Sequence, residues 1–585
     1  MPSLRAFASH FRLGCLALLL PVLLATGCAQ LPQNVERPVS AALASPAGTP
    51  LANLVQQRRD VTKARFESGF LLLEGPQVAY GSRLALIESA QKTLDLQYYA
   101  IHADASTGRL LRGVVAAARR GVRVRVLLDD FHSTGRNALV MRLAFEPGIE
   151  MRMFNPLAGA RASTLGRMVN AAGDFDRAQQ RMHNKLFIAD NAMGVTGGRN
   201  LGDAYFGIAQ TRNFVDLDVL AAGPIVQDMS RSFDTYWNNE RAYPVQSLVD
   251  REELQEIRDR VRAEENAQRG ENQDSANGPK PPDGEPRPAD AGPTDAQRAA
   301  AWDEKPLDLR TAAFVWAPAV LLVDKPAKIA ADSAASDVDS AKAPGLVVSQ
   351  PHDPSDAGRR MASLEKASDA AADGETVVSG LLQLIGDARS DLTIISPYFV
   401  PGPDMKQAFA AARARGVRVR VLTNSLASND APIAHVGYAR HREKLLAMGV
   451  ELYELRSEQA GLGSAFGSSG ASAAGESRSM LHSKALVMDG QLLVIGSMNL
   501  DLRSQLQNTE IALLIRSGEL SRSAVAQIDT VMRQGAWRVE QSDGSLVWRA
   551  PEGSQLKDAR TEPDTSAGLR LLLKLVGPLA PDELL

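Results

Sequence analysis

The chain contains an internal duplication. The octet Arg-Gly-Val-Arg-Val-Arg-Val-Leu occurs at residues 120–127 and again, letter for letter, at residues 415–422, which is 295 residues later (415 minus 120). A second pattern, His-x-Lys-x-x-x-x-Asp, occurs at residues 183–190 and 482–489, with its histidines 299 residues apart (482 minus 183). Nearly equal intervals indicate two copies of one domain rather than a short-period repeat. Two such copies most naturally pack about a pseudo-twofold axis, which would bring His183 and His482 face to face.

Hydrophobic patterning within each copy predicts an α/β domain. The first copy runs in the order helix, strand, helix, strand over residues 78–92, 93–101, 110–119 and 120–128. The second copy repeats strand, helix and strand over residues 392–400, 405–414 and 415–422. Each final strand follows a glycine and alternates strictly between apolar and charged residues. This rhythm predicts a largely parallel or mixed sheet in each domain.

Both His-x-Lys motifs carry side chains suited to phosphodiester chemistry. Alternate residues of a strand share a face, so we expect His183 and Lys185 to point the same way, as do His482 and Lys484. A lone histidine in an apolar strand is more often structural than catalytic, but this pattern occurs twice. Each copy also continues into a glycine-containing turn that ends in asparagine, at residues 197–200 and 496–499.

These motifs resemble those of the phospholipase D superfamily. Longer strings are similar to bacterial cardiolipin synthases, closest to the cardiolipin synthase C branch, at residues 94–99, 181–185, 197–206 and 496–504. The resemblance covers residues 60–250 and 375–585, plus an island near Trp316. It implies two tandem phospholipase D-like α/β/α domains, related by a pseudo-twofold axis, with one shared active site.

The resemblance also implies a role for each site residue. His183 would be the nucleophile and His482 the general acid and base, although the pseudo-symmetry keeps the reverse assignment open. Lys185 and Lys484 would neutralise the phosphate oxygens. Phosphate binding is the implied role of Asn200, Asn499 and Ser497, and orientation of the histidines is that of Asp216 and Glu510. The catalytic motifs also include Asp190 and Asp489. From their position, we expect these two aspartates to brace the turn after each strand rather than to touch substrate. For the two asparagines, simple turn formation is the alternative.

No cofactor or metal ion is expected. Two lysines and a protonated histidine supply the positive charge, and no acidic cluster is spaced for Mg²⁺ or Ca²⁺. The net charge of −3, from 65 basic and 68 acidic residues, argues against a general nucleic-acid binder. We expect a monomer whose two halves form a pseudo-dimeric core.

The implied substrates are phospholipids. A phosphatidyl group from phosphatidylglycerol or phosphatidylethanolamine would pass to the glycerol of phosphatidylglycerol and make cardiolipin. Water as the acceptor would instead make the protein a phospholipase D that releases phosphatidic acid. A secreted phosphodiesterase or nuclease and an inactive lipid-binding protein are further alternatives. The duplication and the lipid anchor argue against the former, and the intact motifs argue against the latter.

The N-terminus predicts a lipoprotein signal peptide. Arg5 and Arg12 precede an apolar run at residues 13–24, which is shorter than the about 20 apolar residues of a transmembrane helix. Residues 24–28 resemble a lipoprotein box with Cys28 as the lipidated residue, and an uncleaved anchor or an ordinary secretory signal is the alternative. Ala29 favours the periplasmic face of the outer membrane, with the inner membrane as the second location. The only cysteines are Cys15 and Cys28, so no disulfide is expected in the body.

Composition divides the chain into six segments. They are a signal peptide at 1–28, a tether at 29–58, a first domain at 59–250, an insertion at 251–374, a second domain at 375–540 and a C-terminal extension at 541–585. Residues 262–301 lack Ile, Leu, Val, Met and aromatic residues, so we expect the insertion to be largely disordered, except for an island at 303–328. Residues 461–477 predict a flexible connector or a lid. Leu569–Leu575 predicts an amphipathic membrane-contact helix or a docked core helix.

Overall fold

The computed structural model describes residues 31–159, 174–275, 293–329, 345–353, 358–457, 478–577 and 580–582. The predicted signal peptide with Cys28 and the loop at 461–477 lie outside these residues. Within the described ranges, every helix is too short or too polar to span a bilayer.

The first domain is built on a nine-stranded mixed sheet. Its strands are β1 (Gly69–Leu73), β2 (Thr93–Tyr98), β3 (Arg123–Asp129), β4 (Ile149–Phe154), β5 (Leu186–Ala189), β6 (Met193–Gly197), β8 (Asp218–Ala222), β9 (Ala242–Pro244) and β10 (Val315–Trp316), with β7 (Arg212–Val215) outside the sheet. Their order is β10-β1-β8-β6-β5-β2-β3-β4-β9. Strands β2, β3 and β4 are parallel and the other pairings are antiparallel. The helices of this domain are α1 (Pro50–Thr62), α2 (Pro76–Ser89), α3 (Ala105–Arg119), α4 (Phe175–Gln179) and α5 (Ile225–Trp237).

The second domain repeats this plan on a ten-stranded mixed sheet. Its strands are β11 (Ala319–Asp324), β12 (Leu346–Val348), β13 (Asp391–Ile395), β15 (Arg418–Asn424), β16 (Glu451–Leu455), β18 (Ala485–Met488), β19 (Leu492–Gly496), β21 (Ile511–Arg516), β22 (Ala536–Ser542) and β23 (Ser545–Arg549). Their order is β12-β11-β21-β19-β18-β13-β15-β16-β22-β23. The short strands β14 (Phe399–Val400) and β20 (Leu500–Asp501) pair with each other, and β17 (Arg478–Leu481) pairs with β7. The helices are α8 (Arg359–Ala372), α9 (Val377–Gly386), α10 (Pro403–Ala414), α11 (Pro432–Ala447), α12 (Leu502–Leu506), α13 (Gly518–Gln534) and α14 (Ala567–Val576). The predicted two-domain α/β fold is confirmed.

The repeated octet has a packing explanation in both domains. Its valines pack into the cores, whereas its central arginine points to the other side of the sheet. Arg125 is fully buried and binds Asp95 at 2.7 Å and Asp234 at 2.8 Å. Its counterpart Arg420 binds Asp391 at 3.1 Å and also contacts Asp529. A buried guanidinium needs charged partners. Each site supplies two aspartates, although Asp95 lies directly opposite Arg125 whereas Asp391 lies opposite Arg418.

The middle of the chain differs from the predicted disordered insertion. Helices α6 (Arg251–Ser275) and α7 (Asp295–Asp303) follow the first domain, and the second sheet begins at Ala319, well before the predicted boundary at 375. Helix α6 docks through Leu254, Ile257 and Val261, which are buried. These three apolar residues lie just before the apolar-poor stretch that begins at 262, so the composition of that stretch did not reveal the helix.

The predicted tether at 29–58 is also more ordered than expected. Residues 50–62 form helix α1, and the preceding segment lies against the first domain. The carbonyl of Ser40 accepts a hydrogen bond from Arg125 at 3.0 Å, and the carbonyl of Pro38 accepts one from Arg152 at 2.6 Å. These arginines therefore hold an extended segment that has little apolar surface of its own.

Reciprocal strand contacts join the two domains. Strand β7 of the first domain pairs in parallel with β17 of the second, in the register Val215↔Leu481. The equivalent contact on the other side is a parallel bridge between Met182 and Thr509. One apolar core contains buried residues of both sheets, such as Ile188 and Ile495. The segments before both His-x-Lys motifs therefore meet at the domain interface.

Candidate active site

Each motif histidine is held by the opposite domain. The backbone N–H of His183 donates to the carbonyl of Thr509 at 2.9 Å, and that of His482 donates to the carbonyl of Val215 at 2.8 Å. The residues that follow those carbonyls are Glu510 and Asp216. Since the two contacts are equivalent, the site has the pseudo-twofold symmetry predicted from the duplication.

The imidazole rings continue this exchange. Nδ1 of His183 lies 2.9 Å from Glu510 Oε2, and Nδ1 of His482 lies 2.7 Å from Asp216 Oδ2. A carboxylate on Nδ1 fixes the orientation of the ring and leaves Nε2 for chemistry in the cleft. The pairing crosses between domains, so neither half holds its own histidine.

The two His-x-Lys pairs lie just before the strands rather than on them. Strand β5 begins at Leu186 and β18 begins at Ala485. The backbone N–H groups of both histidines bond to the opposite domain, whereas the Lys484 carbonyl accepts from Gly496 of its own sheet. Lys185 Nζ donates to the carbonyl of His183 at 2.6 Å, and Lys484 Nζ donates to that of His482 at 2.5 Å. Each ammonium group therefore remains beside its histidine, as predicted.

Ser497 supports Glu510 instead of facing the cleft. Its hydroxyl donates to the Glu510 carboxylate and accepts from the backbone N–H of Ile511 at 3.0 Å. This position does not match the phosphate-binding role predicted for Ser497. Gly198 occupies the equivalent place in the first copy, where a Cβ atom would come within 2.2 Å of Asp216 Oδ1. The second copy thus places a hydroxyl beside Glu510, whereas the first copy has a glycine, with no side chain, beside Asp216.

A second support for Glu510 comes from the middle of the chain, where no functional residue was predicted. Asp324, at the end of β11, accepts from the Glu510 backbone N–H at 2.9 Å and from Lys328 Nζ at 2.7 Å. Lys328 Nζ also donates to the carbonyl of Ser504 at 2.8 Å, and the Ser504 hydroxyl donates to Glu510 Oε1 at 2.9 Å. An acid at the end of the apolar run Leu321-Leu322-Val323 was the one sequence signal for this network.

Asp190 and Asp489 brace turns and do not line the cleft. Asp190 accepts from the backbone N–H groups of Gln91, Lys92 and Thr93, at distances down to 2.7 Å. Asp489 accepts from Arg389, Ser390 and Asp391 in the same way. Both residues have a left-handed backbone, with φ of 51° and 53°. Their place in the catalytic motif therefore reflects support of the strand-turn, not contact with a reacting group.

Asn200 and Asn499 both line the cleft, but their amides are used differently. The Asn200 side chain accepts from the backbone of Ala100 at 3.2 Å and donates to the Tyr205 hydroxyl at 3.0 Å. The side-chain oxygen of Asn499 has no hydrogen-bond partner among the described residues. The Asn499 side chain thus makes no hydrogen bond within the described residues, so its N–H groups can donate to a phosphate, whereas Asn200 also positions an aromatic residue.

The histidines open into a cleft of about 710 Å³. Its aromatic lining contacts the two histidine rings edge-on, with Tyr99 5.1 Å from His183 and Tyr205 5.3 Å from His482, measured between ring centroids. Arg503 also lines the cleft, and in the described parts of the chain it has no hydrogen-bonded or ion-pair partner. These three residues lie within the quoted motif strings, although the sequence analysis assigned them no role.

Electrostatics distinguish the lysines from ordinary surface lysines. Burial lowers the pKa of Lys185 to about 7, with Lys484 adding to the effect and Glu510 opposing it. Burial lowers the pKa of Lys484 to about 8, opposed by Asp216 and Glu510. An anion bound beside these lysines would raise both pKa values, so the pair is suited to binding a phosphate. Within the described ranges, no group of three His, Cys, Asp or Glu side chains is placed to hold a metal ion.

The two histidine–carboxylate pairs are electrostatically unequal. Burial, Lys185 and Lys484 lower the pKa of His183 well below its ordinary value. Burial and Lys484 also lower the pKa of His482, but Asp216 opposes them. Burial raises the pKa of Glu510 to about 7. Burial alone would raise the pKa of Asp216 as well, but His482 and Lys484 lower it overall. His482 therefore faces the more firmly ionised carboxylate.

Comparison with known proteins agrees with this geometry. The family described as "Cardiolipin synthase, PLD-like domain" matches residues 84–237 and 381–532, one match in each domain. Cardiolipin synthase C of Escherichia coli (strain K12) is 33% identical over 89% of this chain and 96% of its own length. An uncharacterized protein of Helicobacter pylori (strain J99) is 29% identical over 86% of this chain and 87% of its own length.

A solved structure shows the same fold. The crystal structure of phosphatidylserine synthase from Haemophilus influenzae Rd KW20 superposes with a TM-score of 0.50 at 13% identity, covering 90% of this chain and 99% of that one. The two family matches at residues 84–237 and 381–532 contain both histidines of the site and the carboxylates that bind them. The chain therefore belongs to the phospholipase D-like family that includes the cardiolipin synthases, and it is an enzyme of the phospholipase D type.

Proposed function

We propose that this enzyme makes cardiolipin by transferring a phosphatidyl group to phosphatidylglycerol through a phospho-histidine. The observation that carries the proposal is the pair of cross-domain histidine–carboxylate contacts, with a buried lysine beside each histidine and both histidines lining one cleft. The similarity to cardiolipin synthase C over nearly the whole chain supports the choice of lipid substrates. The donor is phosphatidylglycerol or phosphatidylethanolamine.

The difference in pKa shifts between the two histidines supports His183 as the nucleophile. A nucleophilic imidazole must be neutral, and the pKa of His183 is well below the ordinary value. The general acid must carry a proton, and Asp216 favours the protonated form of His482. In the first step, Nε2 of His183 attacks phosphorus, the bond to the headgroup oxygen breaks, and His482 protonates that oxygen.

The second step reverses these roles. His482 removes the proton from a hydroxyl of the acceptor phosphatidylglycerol, whose oxygen attacks phosphorus and breaks the bond to His183. Lys185, Lys484 and the free amide of Asn499 stabilise the negative charge that develops on the phosphoryl oxygens. With water in place of the acceptor, the same steps release phosphatidic acid, which is the alternative phospholipase D activity.

Product analysis tests the reaction. Purified protein receives phosphatidylglycerol vesicles labelled in the headgroup and acyl chains, with and without phosphatidylethanolamine. We expect cardiolipin as the main product, absent with His183→Ala and retained with His352→Ala, which alters a histidine outside the cleft. The released label identifies the donor. Phosphatidic acid as the only product would identify a hydrolase, and full activity of His183→Ala would refute the mechanism.

Trapping the intermediate tests the role of each histidine. A phosphatidyl ester of p-nitrophenol, labelled at phosphorus, needs no proton for its leaving group, so loss of the general acid leaves the first step intact. We expect His482→Ala to accumulate acid-labile, alkali-stable label, whereas His183→Ala incorporates none. Label on His183→Ala together with its loss in His482→Ala would reverse the assignment.

We further propose that Cys28 carries a lipid that anchors the enzyme in the cell envelope. The apolar run at 13–24 and the lipoprotein-like residues 24–28 support this proposal. The periplasmic face of the outer membrane is the expected location, with the inner membrane as the alternative. Cys28→Ser should shift electrophoretic mobility and reduce membrane fractionation. Unchanged mobility and fractionation would exclude the anchor, and density-gradient separation of the wild type distinguishes the two membranes.

We also propose that the enzyme is a monomer. Sedimentation of the detergent-solubilised protein measures its molecular mass and tests this proposal.

A further inference from the structure

Helix α14 exposes an apolar stripe near the C-terminus. Leu571, Leu572 and Leu575 are 61%, 56% and 67% exposed. Together with the exposed Gly568, they follow the i, i+3, i+4, i+7 spacing of one helix face. Leu569 and Leu573, on another side of the helix, are half-buried. The helix is therefore docked along one side and leaves its second apolar face uncovered by the described residues.

Polar contacts hold this helix on α11. Arg440 donates to the carbonyls of Gly577 and Ala580, the latter at 2.7 Å, and His441 Nε2 lies 2.8 Å from Asp582 Oδ2. Gly577 packs directly against Val436, where a side chain would not fit. These contacts all lie in the residues just after α14, so they fix the C-terminal end of the helix on α11.

The helix that carries α14 also forms a wall of the active-site cleft. Ala431, Ile433 and Ala434 at the start of α11 line that cleft. Arg440, which holds α14, lies six residues beyond Ala434, or roughly 10 Å along the helix axis. The segment that directly follows the leucine stripe is therefore fixed to the same helix that lines the cleft.

We propose that the leucine stripe of α14 inserts into the surface of an anionic phospholipid bilayer and places the cleft at that surface. A short helix with leucines on one face and basic residues beside them is suited to the boundary of headgroups and acyl chains. Lys574 is exposed beside the stripe and supplies the positive charge that anionic lipids attract. This inference rests on the proposed function for its substrate, but the contact is independent of catalysis and of Cys28.

A local probe tests the contact in the full chain. Cys15→Ser and Cys28→Ser leave no cysteine, after which Leu572→Cys carries an environment-sensitive fluorophore. Val61→Cys, at another exposed apolar position on α1, is the matched control. With vesicles of phosphatidylglycerol and phosphatidylcholine we expect a blue shift, and quenching by nitroxide lipids, at 572 only. Vesicle-bound protein without a shift at 572, equal shifts at both positions, or no vesicle binding would each overturn the proposal.

A double variant separates surface binding from chemistry. Because Leu571 and Leu575 are exposed, Leu571→Asp with Leu575→Asp should leave the fold and the melting temperature unchanged. We expect the rate of product formation on vesicles to fall by roughly tenfold or more, since two apolar side chains no longer transfer from water into the bilayer surface. The rate on short-chain phosphatidylglycerol, dispersed as monomers, should stay the same. Equal losses on both substrates would refute the surface role. If neither substrate gives product with the wild type, the proposed function fails while the fluorophore still reports on the helix.

Discussion

Lys185 should reduce the stability of the free enzyme while it serves catalysis. Its side chain is buried, and burial lowers its pKa from 10.5 to about 7. Lys185→Met keeps much of the apolar stem but removes the charge. We therefore expect this variant to melt at a higher temperature than the wild type and to be almost inactive.

The size of the effect follows from the change in pKa. A fall from 10.5 to about 7 corresponds to about 4 kcal/mol at pH 7, from 1.36 kcal/mol for each pH unit. Loss of the hydrogen bond to the His183 carbonyl returns about 1 kcal/mol. The net stabilisation should therefore be about 2 kcal/mol or more, which allows for imperfect packing of methionine.

The pH dependence has a defined sign. Between about pH 7 and pH 10.5, the unfolded chain binds the Lys185 proton and the folded chain does not, so the wild type gains stability as pH rises. The advantage of Lys185→Met should therefore be greatest near neutral pH and fade towards about pH 10.

Calorimetric melting at neutral and alkaline pH measures this advantage. Lys366→Met is the control, since Lys366 is an exposed lysine paired with Asp387, and its melting temperature should hardly change. A variant at position 185 that melts below the wild type near pH 7 would refute the reasoning. That result would mean that Glu510 and the surrounding dipoles compensate the buried ammonium group fully.

Three further predictions address the same cleft. Arg503→Met should raise KM for phosphatidylglycerol roughly tenfold and change kcat less, because a charged hydrogen bond contributes about 1.5 kcal/mol; steady-state kinetics with an unchanged KM would contradict a role in binding. Lys328 lowers the pKa of Glu510, so Lys328→Met should raise that pKa and move the acid limb of the kcat/KM profile to higher pH. The control Lys325→Met should leave the profile unchanged. An acid limb that does not move in Lys328→Met would disprove the coupling. Inorganic phosphate should bind with proton uptake near pH 8, because the anion raises the pKa of Lys185 and Lys484. Calorimetry in two buffers of different ionisation enthalpy measures this uptake, which Lys185→Met should reduce, and binding without uptake would count against lowered lysine pKa values.

Much of the fold and the centre of the site follow from local sequence patterns. Alternation in the repeated octet predicts strands β3 and β15, and the duplication predicts two domains that share one site. The pairs His183–Lys185 and His482–Lys484 stand out because the same pattern recurs with the same continuation. These features depend on residues close together in the chain, so one sequence is sufficient to find them.

Other features were misjudged because their partners are distant in sequence. Among its described side chains, helix α6 docks through Leu254, Ile257 and Val261, and the composition of the segment after them favoured disorder. Strand β11 lies in the island at 303–328 that was predicted to be ordered and docked, but its place in the second sheet could not be predicted, because it depends on pairing with β21, nearly two hundred residues further along the chain. Ser497 was assigned to the phosphate since nothing local shows that its hydroxyl faces Glu510.

The sequence by itself determined the chemistry that this enzyme brings to a phosphodiester, because a repeated histidine–lysine motif fixes which groups are present. Only the tertiary structure decided how those groups differ. Each carboxylate binds the histidine of the other domain, so that Glu510 supports His183 and Asp216 supports His482. The two pairs are buried among different charges, and their pKa values therefore differ. Desolvation and the distances between charges set those pKa values. Neither is a property of any short stretch of sequence, and both arise only when the two domains pack together.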